Sequence, residues 1–160
     1  MAVRTGESTH GPRPSVTAAP AVLPLTPSQS LSLLQTVSLG RLVFTEHALP
    51  AVRPAAHVLR GEDVVVHIDG EGAPTALTAP DGAPGVVVAY QTDEIDPLTH
   101  LGWSVVVTGY ARLVTDLEEK ALLGASSHAR VGPHPGSLVC VRPDIVRGFR
   151  LAERAPHQGR

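Results

Sequence analysis

The stretch Gly102-Trp103-Ser104-Val105-Val106-Val107-Thr108-Gly109-Tyr110-Ala111-Arg112-Leu113-Val114 decides how this chain folds. It is the longest run with strand character. β-branched and aromatic residues dominate it, as suits a pleated, half-buried surface. At a period of two, Trp103, Val105, Val107, Ala111 and Leu113 share one face, which reads as core. Ser104, Val106, Thr108, Tyr110, Arg112 and Val114 share the other, a wall with polar groups that a ligand could use. Gly109 interrupts the run, and a glycine inside a strand marks a bulge or bend. A long strand that bends midway predicts a small barrel rather than a flat sheet.

The rest of the chain is consistent with one domain built on that strand. It has 160 residues, 42% of them hydrophobic and 18% charged, which is the balance of a globular chain with a real core. The formal net charge of −2 excludes the basic footprint expected for nucleic acid or an anionic membrane surface. No apolar run reaches the roughly 20 residues of a membrane span, and prolines interrupt the N-terminal segment where a signal peptide would need continuity. The single cysteine, Cys140, cannot form an intrachain disulfide, and its Leu-Val-Cys-Val setting reads as core. These features lead us to expect a cytoplasmic protein.

Residues 1–25 read as a flexible Pro/Ala-rich arm, 26–153 as the folded domain, and 154–160 as a frayed tail. Thr26-Pro27-Ser28-Gln29 is a helix start with a capping box, and Gly40 is placed to end that helix in a left-handed conformation. Arg41–Glu46 reads as a strand, His47–Pro50 as a turn, Ala51–Leu59 as a second strand and Val64–Ile68 as its hairpin partner. Pro54 marks an edge, a bulge, or a place where a ligand replaces the ladder partner. Asp69–Gly85 is a long loop, of a kind often functional. Val86–Asp93 is a strand whose valine run suggests burial on both faces, and Asp93–Leu101 is an acidic connection. Thr115 and Glu118 form a capping box for a second helix to about Ala129. Two final strands follow, Leu138–Val141 and Ile145–Leu151. Few helices and several hairpins predict a mainly β, antiparallel architecture with flanking helices.

Among the eight histidines, His57 and His67 lie in strands of one hairpin. A two-residue loop at Gly61-Glu62 pairs His57 with Val66 and puts His67 on the other face; a longer, bulged loop would bring the two histidines side by side. No third ligand supports a zinc site. Asp93, Glu94 and Asp96 read as a solvated acidic loop. No P-loop, dinucleotide fingerprint or nucleophile elbow is present. Arg53 and His57 alternate onto one face beside Pro54, with small residues between that leave room for a flat ligand. Arg is a bidentate donor to phosphate.

Leu39-Gly40-Arg41-Leu42-Val43-Phe44, then a strand with Pro54, then Asp93-Glu94-Ile95-Asp96, then Gly102-Trp103-Ser104-Val105-Val106-Val107-Thr108-Gly109, resembles the pyridoxamine 5′-phosphate oxidase-like proteins, the flavin/deazaflavin oxidoreductase split-barrel family. The resemblance covers about Ser28 to Leu151. It implies an antiparallel FMN-binding split β-barrel, a homodimer with the flavin at its interface, and hydride transfer to or from a small organic substrate. FMN is the implied cofactor, with a deazaflavin coenzyme as the alternative. Carried onto this chain, Arg53, Pro54, Ala55, Ala56 and His57 lie along the ring and ribityl chain. His67 and Ile68 approach the phosphate, Thr75 belongs to the loop that follows, and Trp103 sits near the cofactor or pins the interface. No catalytic residue is implied. The chain departs from the family in that loop. Related sequences place a lysine or arginine there to meet the phosphate, and this chain reads Gly70-Glu71-Gly72-Ala73-Pro74-Thr75. That departure motivates a second expectation, a catalytically silent split-barrel dimer that binds or senses a small ligand.

Overall fold

The computed structural model describes residues 20–69, 75–80, 82–124 and 136–154. In chain order these form β1 (Ala21–Leu25), α1 (Pro27–Leu34), β2 (Leu39–Glu46), β3 (Leu49–Arg60), β4 (Asp63–Ile68), a 3₁₀ turn (Thr75–Leu77), β5 (Val86–Ile95), β6 (Gly102–Leu113), α2 (Leu117–Gly124) and β7 (Ser137–Ala152). Every strand pairing is antiparallel. The strands run in the order β1-β7-β4-β3-β2-β5-β6, and β6 pairs again with β7. Strands β2 to β7 therefore close a barrel. β7 closes it by dividing one edge: its first part pairs with β4, its last part with β1, while β6 runs along the other edge.

The bend foreseen at Gly109 is present. The β6–β7 register runs from Thr108↔Ile145 to Gly109↔Pro143, so Asp144 is the extra residue of a bulge. A side chain at residue 109 would strike the Arg142 carbonyl, which is why glycine stands there. What read as two final strands is one strand carrying this bulge. The inward residues of β6, Trp103, Val105, Val107 and Ala111, are buried with Leu42, Phe44, Val66 and Tyr90 in an aliphatic core, and Leu34 of α1 closes one side of it.

Both hairpins of β2–β3–β4 have two-residue loops. Glu46 faces Leu49 across His47 and Ala48, which both adopt positive φ (51° and 62°), as a mirror-image turn demands. Arg60 faces Asp63 across Gly61-Glu62, so His57 pairs with Val66 and His67 takes the opposite face. α1 begins as read: Thr26 accepts from the Gln29 amide at 3.2 Å, and Gln29 Oε1 accepts from the Thr26 amide at 2.9 Å.

Several expectations are corrected. Ala21–Leu25, read as arm, forms β1 on the edge of β7. Gly40 does not end α1, which stops in right-handed geometry at Gln35. It lies in β2, where a Cβ would sit 2.5 Å from the Tyr90 hydroxyl. Val87 is 60% exposed, because β5 buries only the face carrying Val88, Tyr90 and Thr92. Asp93 and Glu94 belong to β5, not to a loop. Asp96 organises the turn that follows, accepting from the Leu98 and Thr99 amides at 2.8 Å each. These bonds hold its carboxyl below the usual range. α2 is capped by Asp116, one residue later than read, through a 2.8 Å bond from the Glu119 amide. The long loop contains the 3₁₀ turn, whose Leu77 is fully buried. The arm up to residue 19, residues 70–74, the expected extension of α2 beyond residue 124 and the tail from residue 155 lie outside the described residues.

Candidate functional site

Alternation along β3 sorts the expected ligand-binding residues onto two faces. Arg53, Ala55 and His57 point to the inner face, where Ala55 is fully buried and the Arg53 guanidinium lies 5.9 Å from the centre of the Phe44 ring. Pro54 and Ala56 take the outer face, with His67 opposite Ala56. Ile68 and Trp103 point into the core, at 3% and 5% exposure, so neither side chain is presented to a ligand on the outer wall. Thr75 is exposed at the start of the 3₁₀ turn. Pro54 sits in the part of β3 that, among the described residues, is paired with β2 alone. The edge reading of this proline therefore holds.

His57 is structural. Its Nε2 donates to the Leu34 carbonyl at 2.8 Å and its Nδ1 lies 2.8 Å from the Tyr90 hydroxyl, which is also 2.8 Å from the Ala55 carbonyl. A carbonyl only accepts, so the neutral ring carries its proton on Nε2 and Nδ1 takes one from Tyr90. The single Tyr90 proton is then shared between His57 and Ala55. Burial pushes the His57 pKa down, opposed by the Leu34 bond, and pushes that of Tyr90 up. The network ties the end of α1 to β3 and β5.

His67 is placed differently. Its Nδ1 is 3.4 Å from Asp69 Oδ1, and neither that nitrogen nor either buried Asp69 oxygen has a hydrogen bond among the described residues. Cys140 packs on the same outer side with Val65, Val114 and Leu138, and burial raises its thiol pKa, with Asp63 adding to the rise. It is a core thiol. Among the described residues no three His, Cys, Asp or Glu side chains gather as metal ligands, and no helix is long and apolar enough to cross a membrane.

Two clefts stand out on the wall formed by the described residues. The larger, about 890 Å³, lies over β2 and β3. It is bounded by the Gln35–Ser38 connection and lined by Leu39, Arg41, Pro54, His57, Val58 and Asp93. That volume lies within the roughly 300–1,000 Å³ of small-molecule sites. Arg41 Nη1 reaches Asp93 Oδ2 at 3.3 Å across its rim. The smaller, about 630 Å³, is formed by the polar-bearing face of β6 with β7 and β1, from Leu25, Ser104, Val106, Thr108, Arg147 and Phe149. The Arg41–Asp93 pair escaped the sequence reading because its partners are 52 residues apart. Only the β2–β5 register, Arg41↔Gln91, brings them together.

Comparison with known proteins completes the picture. A family model described as pyridoxamine 5′-phosphate oxidase matches residues 26–144. The chain belongs to the pyridoxamine 5′-phosphate oxidase family. Over 139 residues it is 37% identical to the uncharacterized protein Rv0080 of Mycobacterium tuberculosis, covering 87% of this chain and 91% of that one. It is also similar to the solved structure of a FAD-binding protein from Mycobacterium smegmatis (26% identity, TM-score 0.58, 82% of this chain and 99% of that one). A FAD-binding protein from Mesorhizobium loti shares the fold at 20% identity and TM-score 0.67, over 84% of this chain and 99% of that one. The barrel closed by the divided strand β7 is the split barrel of this family.

The flavin that the family implies can be tested against these residues. The larger cleft fits a planar ring: it has the volume, and Leu39, Pro54 and Val58 give it apolar walls. At the His67–Asp69 end the described residues set a buried carboxylate beside the histidine, and a second anion there would add repulsion.

Proposed function

We propose that this chain is a flavin-dependent oxidoreductase that works as a homodimer on a small organic substrate, with FMN as its flavin and a deazaflavin as the alternative. The single observation that carries the reading is the 890 Å³ cleft over β2 and β3, walled by Leu39, Pro54 and Val58 on a family barrel. The flavin-binding relative at 26% identity supports it. So does the outer surface, where Leu39, Val52 and Val87 are each more than half exposed, with Ile145 and Phe149 partly so; a second copy of the chain would cover such a surface.

When bound, the flavin supplies hydride transfer. The protein's share is to bind and orient it. The apolar cleft walls exclude water from one ring face, and the rigid β2–β3 ladder fixes the position of Pro54. The His57–Tyr90 network holds the end of α1, and with it the Gln35–Ser38 wall of the cleft, against the barrel.

The test is to purify the protein, record its visible spectrum and titrate it with FMN and with deazaflavin. A retained or saturable flavin, reduced by a nicotinamide and reoxidised by a small acceptor, is the expected result. A colourless protein that takes up no flavin contradicts it. The Asp69 carboxylate, which accepts no hydrogen bond among the described residues, favours a second reading, a barrel that binds or senses its ligand without turnover. Flavin binding with no turnover against a panel of acceptors would select it.

A further inference from the structure

Arg41 and Asp93 come from two of the stretches that carry the family resemblance, and the fold makes little use of their pairing. The contact is a single 3.3 Å bond between side chains 56% and 29% exposed. A pair this open to solvent adds little to stability and exchanges readily. One guanidinium nitrogen faces Asp93, so most of the five N–H donors of Arg41 have no acceptor among the described residues. Both residues line the larger cleft, and among the described residues Arg41 is the one arginine or lysine that does so. The described residues at the other places where an anion was expected suit it less. The His67–Asp69 end offers buried acceptors, and the Arg53 guanidinium is on the inner side over Phe44.

We propose that Arg41 takes the phosphate of the flavin in this cleft, and that Asp93 is its exchangeable counter-ion, released when the phosphate arrives. The planar fork of arginine meets a phosphate through two parallel bonds, a stronger arrangement than the one bond it makes to Asp93. Asp93 keeps the guanidinium aimed across the rim while the cleft is empty. It also sets an affinity penalty, because the incoming anion must displace a carboxylate. The assignment rests on the cleft being the flavin site.

The test compares FMN with riboflavin, which lacks the phosphate, by fluorescence titration of the native protein, R41Q and D93N at low salt, with thermal melting to verify folding of the exposed-site variants. R41Q is expected to weaken FMN about tenfold to a hundredfold while leaving riboflavin within about twofold. D93N is expected to strengthen FMN several-fold, again without moving riboflavin. R41K, which keeps the charge and loses the fork, falls between native and R41Q. If R41Q leaves FMN unchanged or weakens both flavins equally, or if D93N weakens FMN, the assignment is overturned and the cleft stands as a flavin site. If neither flavin binds the native protein, the reading of the cleft falls and the assignment with it.

Discussion

Two histidines on neighbouring strands are buried to nearly the same degree, His57 at 4% and His67 at 7% exposure, and their surroundings are opposite. His57 faces inward, and both ring nitrogens have partners at 2.8 Å. His67 faces outward, and its Nδ1 meets a carboxylate at 3.4 Å without a hydrogen bond. The first is what a core does with a polar ring it must bury: each polar atom is satisfied from within. The second is a pair of polar groups that face each other at 3.4 Å and find no hydrogen bond among the described residues. One histidine is tied by hydrogen bonds into the inner network of the barrel and the other meets only a carboxylate among the described residues, although strand position and residue type look alike for both.

The largest expected effect follows from the inner network. His57→Ala leaves the Leu34 carbonyl without its side-chain donor, frees the Tyr90 hydroxyl and opens a cavity. It should cost about 3 kcal/mol in denaturant unfolding. A cost below about 1 kcal/mol would erase the contrast. A smaller effect appears in the pH dependence. The His57 pKa is lowered by burial from its ordinary 6.5, so the unfolded chain binds the proton more readily than the folded one. The stability carried by the neutral ring is therefore fully present above about pH 6.5 and is lost as the pH falls through that value towards the lower folded pKa. His57→Gln should flatten this acid slope, measured as melting temperature against pH; an unchanged slope would contradict the placement. The smallest effect belongs to the outer pair. Asp69→Asn removes a buried carboxylate that has no hydrogen bond among the described residues, and should leave stability unchanged or raise it by up to about 1 kcal/mol. It should also leave the FMN-to-riboflavin preference alone, whereas a phosphate bound at this end would make FMN bind more tightly to the variant.

The barrel was largely legible because its signals are local. The alternation around Trp103–Leu113, the glycine at 109, the Thr26–Gln29 capping box and the short hairpin loops each act within a few residues. The failures have a common cause. Gly40 looks like a helix stop until the Tyr90 hydroxyl, fifty positions on, is seen to need its space. β1 lacks an apolar period because, among the described residues, it lies on an edge and pairs with β7 alone. Val87 belongs to an apolar run, yet only tertiary packing shows which face is covered. The candidate site was half legible. Period two within Arg53–His57 already separates Arg53, Ala55 and His57 from Pro54 and Ala56, but which group faces the core is settled by the β2–β3–β4 register. The Arg41–Asp93 pair had no local sign at all.

The central claim is that the cleft over β2 and β3 receives the flavin ring. Leu39 is 53% exposed on its wall, so Leu39→Trp can fill the cleft without disturbing the core. The decisive measurement is FMN affinity of this variant by fluorescence titration, beside its melting temperature. The account predicts an unchanged melting temperature and at least about a tenfold loss of affinity. Native affinity in the folded variant would place the ring elsewhere and contradict it.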